Sequence, residues 1–135
     1  MRFFFDRNMP PQLARMMVDA LKREHTARSY YDDDRFSETT PDVEWITVLA
    51  ADDPPWIILS GDGRILKNKT EKSALKEANL TFFCLSRQWM HMKIYEHAWK
   101  FIKVWPENVE NAKGTTPRIY EISGGAGLKI ERVMI

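Results

Sequence analysis

The apolar positions of the chain follow two periods, and the switches between them lay out its elements. Residues 2–6, Arg-Phe-Phe-Phe-Asp, hold a short continuous apolar run, which predicts a buried strand. Over 9–24, Leu13, Met16, Met17, Ala20 and Leu21 recur at the spacing of one helix face. Pro10 and Pro11 suit the opening turn of that helix, where a missing N–H costs nothing. A weaker strand follows over 26–31, and then an acidic loop, Asp32-Asp33-Asp34. Thr40 as N-cap and Pro41 as first helical residue open a second helix that runs to about Ala51. Asp53-Pro54-Pro55 stops it and feeds an apolar strand over 56–60.

The second half repeats the alternation. Residues 61–69 read as a loop containing glycine and lysine, with Thr70 predicted to cap a short helix over 71–78. Leu-Thr-Phe-Phe-Cys-Leu at 80–85 predicts another strand. A long helix is expected over roughly 87–105, with Ile94, Ala98, Phe101, Ile102 and Trp105 on one face. Gly114 ends the helical region, and 116–122 reads as a strand, placed at a sheet edge because of Pro117. A glycine-rich turn at 124–127 and a short strand within 128–135 complete the chain. Strands alternating with helices predict an α/β fold with a mostly parallel sheet. The length fits a single domain over 1–135.

Composition narrows the class. An apolar content of 44% and a charged content of 29% are those of an ordinary water-soluble domain. One cysteine, Cys84, allows neither an internal disulfide framework nor a cysteine-based zinc site. The N-terminus turns acidic at Asp6, too early for a signal-peptide core, and no apolar run approaches a membrane span. A cytoplasmic protein without a membrane partner is the expectation. The net charge of +1 hides a division. Residues 1–62 carry seven basic and twelve acidic side chains, whereas 63–103 carry nine basic and three acidic. That arrangement suits a metal-binding cleft beside a surface for a polyanion, and also a set of solvated lysines on helix faces.

The candidate chemistry lies in three acids. Parallel α/β sheets bind ligands beyond the carboxyl ends of their strands. Asp6 ends the first apolar run, Asp62 follows the run 56–60, and Asp42 sits in the first turn of the second helix. Converging carboxylates offer oxygen donors that suit Mg²⁺ or Mn²⁺. Each acid has a simpler alternative. Asp6 or Asn8 could cap the helix that follows. Asp42 and Glu44 could complement the helix dipole, and being two residues apart they do not share a face. Asp62-Gly63 could be a hairpin turn. The Asp32–Asp34 triplet is either a further ligand source or a solvated loop. His25, His91 and His97 lack metal-ligand spacing, and there is no phosphate-binding glycine loop or nucleophile elbow. Residues 87–93, with Trp99, Lys100 and Lys103, mix aromatic and basic groups, as both RNA-binding surfaces and amphipathic core helices do.

Three segments in this order carry a resemblance: Phe5-Asp6-Arg7-Asn8-Met9-Pro10-Pro11, then Asp42-Val43-Glu44-Trp45-Ile46, then Ile58-Leu59-Ser60-Gly61-Asp62-Gly63-Arg64-Ile65. Over about residues 2–85 the chain resembles the PIN-like domains, and among them the small VapC-type toxins of type II toxin–antitoxin systems. The resemblance implies a three-layer α/β/α sandwich and a metal-dependent endoribonuclease using Mg²⁺ or Mn²⁺. It places Asp6, Asp42 and Asp62 as metal-binding and catalytic acids, with Glu44 as a further catalytic acid. Ser60 belongs to the Ser-x-Asp pattern at the strand end, and Arg64, Lys67 and Lys69 are placed as phosphate-binding residues. It implies an RNA substrate and a cognate antitoxin protein as partner, and leaves room for a homodimer. The chain departs from the family pattern at Gly63-Arg64-Ile65, where many relatives place an Asp-Phe pair. The alternative function is therefore a catalytically weak PIN-like module that works by binding RNA or a protein.

Overall fold

Six short strands assemble into one sheet with helices on both faces. The computed structural model describes residues 1–61, 63–114, 116–125 and 127–134. In chain order the elements are β1 (Arg2–Phe5), α1 (Pro11–Leu21), β2 (Thr26–Ser29), α2 (Asp42–Ala50), β3 (Trp56–Ser60), α3 (Lys69–Ala78), β4 (Thr81–Leu85), α4 (Ile94–Ala112), β5 (Ile119–Ile122) and β6 (Ile130–Val133). The sheet order is β2-β1-β3-β4-β5-β6. Neighbours are parallel except β6, which runs antiparallel to β5.

The unbroken apolar runs of the strands follow from burial on both faces of the sheet. Phe3, Phe5, Ile57, Leu59, Phe83 and Leu85 pack against α1 and α4, through Leu13, Met17, Phe101, Val104 and Trp105. On the other face Phe4, Ile58, Phe82 and Cys84 pack against α2 and α3, through Trp45, Ile46, Leu49 and Leu75. This is the three-layer α/β/α arrangement. Among the described residues no helix is long and apolar enough to cross a membrane.

Several boundaries differ from those predicted, each for a local reason. β5 is not an edge strand, because β6 pairs along its outer side. Pro117 lies ahead of β5, so its missing N–H takes nothing from the ladder. Asn68 rather than Thr70 caps α3, its side chain accepting hydrogen bonds from Thr70 N and Glu71 N. Pro41 takes the N-cap position of α2, and Thr40 instead accepts from Ser37 N at 2.9 Å. The helix expected over 87–105 divides. Arg87–His91 form a 3-10 turn, Met92 and Lys93 are extended, and α4 begins only at Ile94. Its buried side consists of His97, Phe101, Val104, Trp105, Asn108 and Ala112, while Ile94 and Ile102 are exposed.

Candidate functional site

Parallel pairing of β1 with β3 sets Phe5 beside Leu59, and the ladder extends one step further as Asp6 N donates to Leu59 O at 2.9 Å. Asp6 is thereby held at the carboxyl edge of the sheet, next to Ser60, and is 1% exposed. Ser60 Oγ donates to its Oδ2 at 2.6 Å, and Asn8 N and Gly61 N donate to its Oδ1 at 3.0 and 3.2 Å. The loops after the two strands meet backbone to backbone. A Cβ on Gly61 would stand 2.4 Å from Asn8 O, so only glycine permits the approach that turns both amides onto one carboxylate oxygen. Burial pushes the Asp6 carboxyl up to about 6 despite the hydrogen bonds from Ser60, Gly61 and Asn8, and the nearby Asp42 adds to the rise. Among the described residues no cationic side chain pairs with Asp6. A buried acid with three neutral donors and no counter-charge is electrostatically incomplete.

Asp42 opens α2 at the same end of the sheet, but it already has a cation. Arg7 Nη2 and Trp45 Nε1 both donate to Asp42 Oδ1 at 2.8 Å. Arg7 also donates to Glu38 O at 3.1 Å and lies 5.4 Å from the centre of the Tyr30 ring. Glu44 is exposed in the same helical turn. Arg64 lies in the 3-10 turn Gly63–Leu66, Lys67 follows it and Lys69 opens α3, and all three are exposed. Asp62 lies outside the described residues. The structure thus brings together Asp6, Ser60 and, one layer outward, Asp42.

The acidic triplet does something else. Asp33 is buried and bonded to Arg35 Nη2 at 2.8 Å and Arg28 Nη1 at 3.2 Å, while Arg35 also bridges to Asp52. Burial raises the Asp33 carboxyl, but the hydrogen bonds from Arg35 and Arg28 outweigh it and hold it below the usual carboxylate range. Asp32 and Asp34 are exposed, and Asp32 lies 3.6 Å from Arg15. This is a structural ion-pair network that ties β2 to the end of α2.

The donor chemistry at Asp6 fits a hard divalent cation. Its ligands would be oxygens, and the charge disfavoured by burial is the charge a cation would stabilise. Among the described residues no group of three or more acids, histidines or cysteines is close enough to hold a metal. Of the Asp42 carboxylate, Oδ1 is engaged by Arg7 and Trp45.

Sequence reasoning did not find Arg7, Gly61 or the backbone amide of Asn8 as parts of the site. The only sequence signal for Arg7 was its place next to Asp6, because its partner is 35 residues away. Gly61 could be seen only as one glycine of a turn-like Ser-Gly-Asp-Gly. A cavity of about 650 Å³ opens at the opposite end of the sheet, lined by Arg2, His25, Trp56 and Thr81 among others. It lies at the amino ends of the parallel strands, away from the acid, whereas a cleft of about 210 Å³ is lined by Asn8 and Gly61, whose amides bind the acid. Residues 1–87 match a family model described as a PIN like domain. No characterised protein and no solved structure matches the chain.

Proposed function

The chain belongs to the PIN-like domain family, and from that footing we propose that it is a Mg²⁺- or Mn²⁺-dependent endoribonuclease, the VapC-type toxin of a toxin–antitoxin pair. In this reading residues 1–135 work as one domain, and Asp6, Asp42 and Asp62 are the acids that hold the cation. The observation that carries it is Asp6: buried at the carboxyl edge of a parallel sheet, raised to about 6 by that burial, and without a cationic partner among the described residues.

The protein's own groups divide the work. Ser60 Oγ and the amides of Asn8 and Gly61 fix the plane of the Asp6 carboxylate, so that its remaining lone pair has one direction. Arg7 holds Asp42 to the edge of the crevice. Glu44, exposed in the first turn of α2, orients the attacking water. Arg64, Lys67 and Lys69 lie in the 3-10 turn, the residue after it and the start of α3, which follow Ser60, and hold neighbouring phosphates of the RNA. A divalent cation, when bound, supplies Lewis acidity to the phosphate and makes a water more acidic.

RNA cleavage measured in Mn²⁺ and in chelator tests the reading. Asp6→Asn should reduce metal-dependent cleavage by ~10²-fold or more. In a thermal scan, cation at ten times its dissociation constant should add about 1.4 kcal/mol, a rise of about 4–6 °C for a domain of this size. Both effects should vanish in Asp6→Asn. Cleavage at the wild-type rate in that variant removes Asp6 from the chemistry and the reading with it.

A second reading draws on the Arg7–Asp42 ion pair. An acid neutralised by a guanidinium is a poorer cation ligand, which favours a catalytically weak module that binds RNA or a protein partner. Binding of RNA with no cleavage in either metal is its signature.

A further inference from the structure

The outer side of α4 is apolar where a solitary surface helix is expected to be polar. Of the eight large apolar side chains exposed among the described residues, four lie on this helix: Ile94 at 45%, Tyr95 at 66%, Trp99 at 52% and Ile102 at 51%. Tyr95, Trp99, Ile102 and the exposed Pro106 follow one another at steps of four, three and four residues. On an α-helix that stripe is centred roughly 140° round from the side that carries His97, Phe101 and Trp105 into the core. Alternating steps of three and four are the seam of one helix packed along another. The sheet already takes the opposite side of α4, so the helix that fits this seam belongs to a second molecule.

Charge identifies that molecule. Along α4 the acids Glu96, Glu107 and Glu110 stand against Lys100 and Lys103, a near balance that offers a polyanion little. The stripe is instead its own complement. Turning α4 end for end about the point between Lys100 and Phe101 sets Trp99 opposite Ile102 of the second copy, and Tyr95 opposite its Pro106. Each pair places a large ring against a smaller group. Glu96 follows Tyr95 by one position and Lys103 follows Ile102 by one, so both border the same edge of the stripe, with opposite charges. The same turn brings Glu96 to within two residues of the level of Lys103 of the second copy, about 3 Å along the axis. A two-fold axis makes that pair twice. Lys103 is exposed, and Glu96 holds Lys100 only loosely, at 3.8 Å.

We infer that two copies of this chain pair through α4, antiparallel about a two-fold axis, with Trp99 beside Ile102 of the second copy and Glu96 facing its Lys103. Such a contact uses one surface twice and closes on itself, so it stops at a dimer. One helix pair is a small interface, and the dimer dissociates in the micromolar range. The inference stands on the surface of α4 alone and is independent of the chemistry at Asp6.

Sedimentation equilibrium of the full chain, from nanomolar to several hundred micromolar protein, tests the pairing. The mass of the wild type should rise from one chain to two across that range. Trp99→Glu should stay monomeric throughout. Glu96→Lys and Lys103→Glu should each weaken the dimer by about tenfold, because each reversal is felt twice across the axis. Combining the two should restore it to within about threefold, since the pair is remade with its signs exchanged. Urea melts at nanomolar protein, where all forms are single chains, should nearly coincide, which separates lost pairing from lost folding. A wild type that is monomeric at every concentration overturns the inference. So does a dimer that survives Trp99→Glu, or a double reversal that restores nothing. If the wild type stays monomeric and Trp99→Glu loses RNA or a protein partner instead, the stripe serves that partner and the inference falls.

Discussion

Asp6 shows how a single side chain can be legible in a sequence while its surroundings are not. An acid at the end of Phe3-Phe4-Phe5 can only emerge where a buried strand reaches the edge of its sheet. Its neighbours could not be read, since Ser60 is 54 residues away and the Arg7–Asp42 pair spans 35. In the Arg28–Asp33–Arg35–Asp52 network the same holds only of the Arg35–Asp52 link, which spans 17 residues. The state of Asp6 leads to a pH prediction. Its folded pKa, about 6, lies above its ordinary value of 3.8. Below 3.8 both the folded and the unfolded chain keep the proton, and the group is neutral in its effect. As pH climbs from 3.8 to 6 the unfolded chain gives up its proton first, and the fold weakens until the loss is complete above 6. The full loss is about 3 kcal/mol in the absence of a cation. Asp6→Asn keeps an acceptor for Asn8 N and Gly61 N and lets Ser60 Oγ turn to accept. In chelator it should therefore stabilise the protein at pH 7 and change little at pH 3.5. Urea melts at the two pH values check this, and a variant less stable at pH 7 than wild type contradicts the electrostatic assignment.

At the scale of elements, strands were easier to read than the face of α4. Burial on both faces makes a strand a plain apolar run, and no phase has to be guessed. A helix presents only one side, and hydropathy misjudges that side when polar residues occupy it. His97 and Asn108 are both packed inside, while Ile94 and Ile102 stand in solvent. The extended pair Met92–Lys93 also separates α4 from the preceding turn, a break that no glycine or proline announces. Two substitutions distinguish the faces. Phe101→Ala should cost ~3–5 kcal/mol as a cavity in the core, whereas Ile102→Ala should stay within about 0.5 kcal/mol. Denaturant midpoints of the pair measure the difference. Equal losses would mean that the helix is rotated from the orientation described here.

Across the whole molecule, charge and chemistry are laid along the chain in sequence. The acidic first part supplies Asp6 and Asp42, and the basic stretch 63–103 begins where β3 ends, on the same edge of the sheet. If those cations meet a strand of RNA, binding should weaken with salt by a log–log slope of about −0.7 per phosphate contact. Lys67→Ala with Lys69→Ala should flatten the slope, and an unchanged slope would make both lysines mere solvated surface. The sheet order has a different outcome, which concerns motion. β1 is paired along both sides, with β2 and with β3, and Phe3, Phe4 and Phe5 have no exposed surface. Amide protons buried this way exchange with solvent only when the whole molecule opens, while those of β6, paired on one side, exchange through local fraying. In a hydrogen–deuterium experiment Phe4 and Ile58 should exchange last of all, and the amides of Ile130–Val133 far sooner. Asp6 is thus anchored to the slowest-exchanging part of the protein, so mild heat or denaturant can loosen the sheet's far border before the acid loses its position.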